Sequence, residues 1–162
     1  MTYPTWGVLT ARNLAYFAHT GQTDKVGRLY IRHPARVVIH LDSDPAFAAL
    51  SQHEQEVALM VGWLHDVLED TAVTSYMLYE LGCPEEVDNR VRLLTRPKVT
   101  TEEGTARYYR NIAADPIALL VKKADIADNT DPTRLALLDW ETRDRLTKKY
   151  AKARAALGLE IA

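Results

Sequence analysis

The sequence predicts a single compact all-α domain spanning residues 1–162. Three observations carry that prediction. Nearly every segment has apolar residues at helical spacing. Helix-start signals recur along the chain, as Ser51 with Glu54, Asp115-Pro116 and Asp131-Pro132. No repeat, low-complexity tract or linker interrupts the pattern, and any β structure is confined to a short hairpin near residues 26–32. The 162 residues suit one domain with a substantial core. Hydrophobic residues make up 47% and charged residues 26%, as in ordinary soluble proteins. A net charge of −2 gives no reason to expect nucleic-acid binding. The one cysteine, Cys83, rules out an internal disulfide and any Cys-rich zinc site, and its place before Pro84 reads as inert. No apolar run approaches ~18 residues, so no membrane span is expected. The N-terminus lacks the pattern of a signal peptide, and the expected location is cytosolic.

Taken in order, Thr5 caps a first helix with Trp6, Leu9, Leu14, Phe17 and Ala18 as its apolar stripe, failing near Gly21. HTGQTDKVGRLYIRHP is polar and reads as a loop, with LYI extended and Pro34 disfavouring helix at His33. A second helix starts at Pro34 and carries Val37, Val38 and Leu41 until DSDP ends it. A short turn follows around Phe47. Ser51 and Glu54 form a capping-box pattern that opens the helix carrying His65. Shorter helices run from about Thr74 to Leu81, closed by Gly82, and from Pro84 to near Thr95. RPKVTTEEG is a polar loop, and a helix from about Gly104 to Ala114 follows. Asp115-Pro116 opens PIALLVKKADIADN, Asp131-Pro132 repeats the signal, and a basic helix runs from about Thr142 to Leu157. That last helix reads as a solvated face rather than a nucleic-acid site.

One stretch departs from core patterning. GWLHDVLEDT, Gly62 to Thr71, sets His65, Asp66, Glu69 and Asp70 inside an apolar run. On one continuous helix, with His65 at zero, Glu69 falls at roughly 40°, Asp66 at roughly 100° and Asp70 at roughly 140°. Ala58 and Gly62 share that arc, so it reads as the wall of a polar cavity. Val57, Met60, Val61, Leu64, Val67 and Leu68 fill the opposite arc. The Pro116 helix repeats the arrangement, with Asp125, Asn129 and Lys122 beside Ala118 and Asp128 at the edge of the core arc. Unpaired buried carboxylates are costly, and a divalent metal is the simplest partner that would stabilise them. Two histidines and two aspartates would suit Mn²⁺, Fe²⁺, Zn²⁺ or Co²⁺ better than Ca²⁺. Glu69 and Asp70, one turn on, could orient or deprotonate a water.

GWLHDVLEDT resembles the His-Asp segment of the HD-domain metal-dependent phosphohydrolases, with the HDxxED form found in RelA/SpoT-type alarmone hydrolase domains. AHTGQTDKVGRLYIRHP looks like their first motif and VKKADIADN like their VKLADxxxN motif, so the likeness covers roughly the first four-fifths of the chain. The resemblance implies an HD-type helical bundle. It implies that His33, His65, Asp66 and Asp125 bind the metal, usually Mn²⁺, with other divalent transition metals as alternatives. It implies that Glu69 and Asp70 activate the attacking water and that Asn129 lies near the nucleotide sugar. Lys98, in TRPK, aligns with a pocket lysine, and Lys25, Arg28 and Lys122 are further candidates for substrate phosphates. This chain departs from the family at three places. Asp24 stands where an arginine often packs on the guanine; Lys123 replaces the KLAD leucine; Ala127 and Asp128 replace basic or aromatic residues before Asn129.

The expected function is Mn²⁺-dependent removal of the 3′-pyrophosphate from guanosine tetra- or pentaphosphate. The alternatives are an HD-type nucleotidase or phosphatase on another nucleotide, favoured by Asp24, and a catalytically silent nucleotide-binding regulator. The partner in each case is a small nucleotide. Individual residues also have plainer readings. His19 reads as a structural histidine, and His40 and His53 as exposed helix-end residues. Lys122 could form a salt bridge, Asn129 could cap its helix, and Arg28, Arg32 and Arg36 could be exposed surface.

Overall fold

The computed structural model describes residues 6–98 and 101–159. Helix α1 spans Val8–Ala18, α2 Arg32–Asp42, α3 Pro45–Ala48, α4 Gln52–Leu64, α5 Val67–Asp70 and α6 Ser75–Glu80. Then come α7 Glu85–Leu94, α8 Glu102–Ala114, α9 Pro116–Asn129, α10 Pro132–Leu135 and α11 Trp140–Ala156. Among the described residues there is no strand, and no helix is long and apolar enough to cross a membrane. The all-α expectation holds. The hairpin near residues 26–32 does not: Thr23 and Leu29 form one isolated antiparallel bridge. The Asp24 carboxylate closes that loop instead, accepting the N–H groups of Val26 and Arg28 at 3.0 and 2.9 Å. Those bonds take up backbone donors that a longer ladder would need.

Most capping signals act as read. Ser51 and Glu54 form a complete capping box, and Asp44, Asp115 and Asp131 each cap a helix with proline in its first turn. Thr74, Thr101 and Asp139 cap α6, α8 and α11. The expected cap at Thr5 lies outside the described residues. Gly82 and Gly158 follow α6 and α11 with φ of +80° and +68°, the left-handed conformation that glycine adopts without steric cost.

Four expectations about faces and boundaries are corrected. First, α1 buries Ala11 and Ala15, while Leu9 and Phe17 are 64% and 80% exposed. Its small residues let α1 lie close against α4. Second, α2 begins before Pro34, because Tyr30 O accepts from His33 N at 2.8 Å and winds the first turn early. Pro34 sits within that first turn, where its missing N–H costs nothing. Third, the polar stretch is not one helix. The chain breaks between α4 and α5, with Asp66 at φ −102°, ψ −4°, so angular placements carried past His65 fail. Fourth, Ala58 and Gly62 do not open onto a cavity. Both are buried, and a Cβ built on Gly62 would lie 2.9 Å from Leu41 Cδ1 and 3.3 Å from Val38 Cγ2 on α2. Gly62 forms the seat on which α2 crosses α4.

Helix α4 is buried from Val57 to Leu64 apart from a partly covered Leu59, and it packs against α1, α2, α7 and α9. Helix α9 touches α2, α4, α7 and α8, so its apolar face is wider than a single stripe. Ile117, Leu120, Val121, Ala124, Ile126 and Asp128 are all buried. Lys123, in the place of the family's leucine, reaches out to Asp44 at 2.8 Å and ties α9 to the start of α3. Gly62→Val is expected to destabilise the fold by about 1–3 kcal/mol, because Leu41 is fully buried and cannot yield freely. Urea unfolding of the metal-free protein measures it, and an unchanged midpoint would show that α2 and α4 can move apart.

Candidate metal centre and active site

Three helices converge on one buried point. The first turn of α2 supplies His33, the break after α4 supplies His65 and Asp66, and the third turn of α9 supplies Asp125. His33 Nε2 and His65 Nε2 lie 3.2 Å apart. Asp66 Oδ2 is 3.4 Å from the first and 3.0 Å from the second. Asp125 Oδ1 is 3.2 Å and 3.9 Å from the same nitrogens. Ligands about 2.1 Å from a central ion are about 3.0 Å apart when cis in an octahedron and about 3.4 Å apart in a tetrahedron. The spacings among His33, His65 and Asp66 match those values, while Asp125 stands close to His33 and farther from His65.

The hydrogen bonds on the far sides of the rings strengthen the fit. His65 Nδ1 faces Gly62 O at 2.8 Å, and a carbonyl can only accept, so His65 carries its proton on Nδ1. His33 Nδ1 faces the Asp128 carboxylate at 2.6 Å, which assigns the same tautomer. Both Nε2 lone pairs then aim at one another and at two carboxylate oxygens. Only positive charge at their centre makes that arrangement favourable. Protons answer the same demand when no ion is bound. Burial depresses the pKa of His33, but hydrogen bonds to Asp125, Asp128 and Asp66 outweigh it and raise the pKa well above the usual value. His65 is raised on balance as well, its burial outweighed by Asp66 and Asp125. Burial pushes Asp66 and Asp125 up, yet the histidines and, at Asp125, Lys122 hold both below the usual carboxylate range. These residues fit a divalent transition ion, which would replace the protons.

Beside the cluster lies a cavity of about 340 Å³, within the range of small-molecule sites. Glu69 and Asp70 line it, because α5 turns them to the same side as Asp66. Loss of solvent raises the pKa of Glu69, and Asp66 and Asp70 add to that, while the N–H of Arg96 opposes it from 2.8 Å. Lys122, Asn129 and Lys25 also line the cavity. Lys122 Nζ holds the outer oxygen of Asp125 at 2.8 Å, and Asn129 Nδ2 holds the inner one at 2.6 Å. The salt bridge read for Lys122 is therefore a real contact, whereas Asn129 is the last residue of α9 and Thr130 is its C-cap. Arg28 and Lys98 are exposed and line no part of this cavity. His19 is buried against Tyr30, with Nδ1 on Gln22 at 2.7 Å and Nε2 without a hydrogen-bond partner.

Several residues here had no signal in the sequence. The Tyr30 hydroxyl donates to Asp66 Oδ2 at 2.5 Å and faces Asp70 Oδ2 at 3.2 Å, linking a metal-facing carboxylate to a cavity-facing one. Arg96 stands over Tyr108 and Tyr109, and Lys149 over Tyr150, and all five residues line the cavity. Burial lowers the pKa of Lys149, and repulsion from Arg96 and Lys122 lowers it further. Asp24 is spent: Oδ1 serves its own loop and Oδ2 faces Arg134 at 3.7 Å.

No family model matches the chain. Over 163 aligned residues it is 30% identical to the guanosine-3′,5′-bis(diphosphate) 3′-pyrophosphohydrolase of Haemophilus influenzae. That match covers 91% of this chain, and the chain spans 22% of the length of that curated relative. A solved structure of a metazoan SpoT ortholog, described as hydrolysing ppGpp, aligns with a TM-score of 0.73 and 27% identity. It covers 97% of this chain and 88% of the other. Along nearly its whole length the chain is similar to these RelA/SpoT-type proteins. The His-Asp pair stands at the break between α4 and α5, and the break turns both side chains toward α2 and α9. A transition-metal ion at about 100 times its Kd is expected to stabilise the protein by about 2.7 kcal/mol. Asp125→Asn is expected to abolish that gain. Thermal melts with and without Mn²⁺ measure both.

Proposed function

We propose that this chain is an Mn²⁺-dependent phosphohydrolase that removes the 3′-pyrophosphate from guanosine tetra- or pentaphosphate. The observation that carries the reading is the convergence of His33 and His65 Nε2 with Asp66 and Asp125, next to a cavity lined by both acids and cations. The two relatives, each described as acting on this class of nucleotide, support the choice of substrate.

His33, His65, Asp66 and Asp125 would hold the ion, and their two imidazoles and two carboxylates suit Mn²⁺ among the borderline metals. When bound, the ion neutralises phosphate charge and lowers the pKa of a water. Glu69 accepts a proton from the attacking water, a role suited to its raised pKa. Asp70, held near Tyr30, orients that water. Attack at the phosphorus bonded to the 3′ oxygen breaks that P–O bond; the 3′ oxygen leaves with the proton taken up by Glu69 or one from solvent, giving the 3′ hydroxyl and free pyrophosphate. Lys122, Lys25, Arg96 and Lys149 bind the anionic groups of the substrate, and Asn129 contacts its sugar. A second reading, hydrolysis of another nucleotide, rests on Asp24, whose carboxylate is committed to its loop and to Arg134 and offers no cation to stack on a base.

Purified protein with Mn²⁺ is expected to release pyrophosphate from guanosine tetraphosphate, and a chelator is expected to stop it. Orthophosphate release from simple nucleotides, with the tetraphosphate untouched, would favour the second reading. Glu69→Gln is expected to retain Mn²⁺ and lose about 10²-fold or more in kcat, the lower range for a general base. Full turnover in Glu69→Gln would remove it from that role.

A further inference from the structure

We propose that Asp128 is the positioning residue of the metal centre, setting the tautomer and the aim of His33. The inference rests on the metal site of the proposed function and concerns a residue outside its ligand set. Asp128 is 1% exposed, and its two oxygens are fully engaged. Oδ2 meets His33 Nδ1 at 2.6 Å. Arg36 donates from Nε to Oδ1 at 2.5 Å and from Nη2 to Oδ2 at 3.2 Å. Arg134 donates from Nη1 to Oδ2 as well.

A carboxylate pinned by two guanidinium groups can only accept a hydrogen bond. His33 must therefore present a proton at Nδ1, which leaves Nε2 as the nitrogen that can face an ion. Nε2 is the atom that lies 3.2 Å from His65 Nε2 and 3.2 Å from Asp125 Oδ1. The two arginines come from different parts of the chain, one turn after His33 on α2 and from α10, so the carboxylate is braced from two sides. A metal-binding histidine generally has such a partner on its other nitrogen, and losing it weakens metal affinity about 10–100-fold. Asp128 supplies it here from a position where the family's usual residues are basic or aromatic. Its charge also requires Arg36 and Arg134, since a buried carboxylate without cations would be costly.

Asp128→Asn separates positioning from simple anchoring. An amide keeps an oxygen for the arginines and can turn its NH₂ toward His33. That favours the tautomer with the proton on Nε2, which blocks the metal-facing lone pair, much as replacing the aspartate of a catalytic triad by asparagine reverses its histidine. Mn²⁺ affinity, measured by calorimetric titration on protein that still melts cooperatively without metal, is expected to weaken about 10–100-fold. Affinity equal to wild type would show that Asp128 only anchors two arginines, and would overturn the proposal while leaving the proposed function standing. Absence of Mn²⁺ binding by wild-type protein would overturn both. Where Asp128→Asn fails to fold, nitrogen-15 spectra of the Zn²⁺-loaded wild-type protein decide the matter. A proton on His33 Nδ1 supports the assignment, and a bare Nδ1 overturns it.

Discussion

Two imidazole lone pairs aimed at each other across 3.2 Å govern much of this fold. Neutral nitrogens would not be held so, and the two carboxylates alongside make sense of it only with positive charge between them. The rest of the bundle serves that convergence. His33 reaches His65 because α2 crosses α4 at a glycine, where any larger side chain would hold the helices apart. His65 and Asp66 point at the same place because the helix ends between them and the backbone re-aims the second residue. Asp125 arrives on a helix enclosed by four others, which removes water from the carboxylate and strengthens its attraction to any cation.

Charges around the centre alternate outward. The ligand carboxylates face inward to the histidines. Lys122 then meets the outer oxygen of Asp125, and Asp128 meets the outer nitrogen of His33. Arg36 and Arg134 enclose Asp128, and Asp24 faces Arg134. Each buried charge is thereby set beside its opposite, the condition under which such groups are tolerated in a protein interior. Toward the cavity the alternation stops. Arg96 and Lys149 lean on tyrosine faces instead of carboxylates, so their charge stays available to a phosphorylated ligand.

Much of this was legible from the sequence, and for local reasons. Caps at Ser51, Asp115 and Asp131 are written within three residues of the groups that they bond, so they could be read directly. The His-Asp stretch and the Asp125 helix stood out because carboxylates interrupt apolar periodicity. Periodicity also misled. It assumes that a helix continues, and the break at Asp66 leaves no trace in hydrophobic spacing. Small residues have two meanings, an opening or a close crossing, and Gly62 took the second. The contacts of Asp128 with Arg36 and His33 join positions 92 and 95 residues apart, and no local rule links them. Tyr30, in a stretch that reads as extended, is brought to Asp66 and Asp70 only by the folding of the first loop.

The chain of contacts from Asp24 through Arg134 and Asp128 to His33 and Arg36 also bears on how such a domain can change. Restoring a cation at position 24 would set it against Arg134, and removing Arg134 to make room would take one of two braces from Asp128. Each single replacement strands a buried charge, whereas a concerted exchange keeps the alternation intact. The rim of the pocket and the metal centre therefore form one heritable unit. A descendant that altered base selectivity at position 24 would have to rewrite the support of His33 in the same lineage.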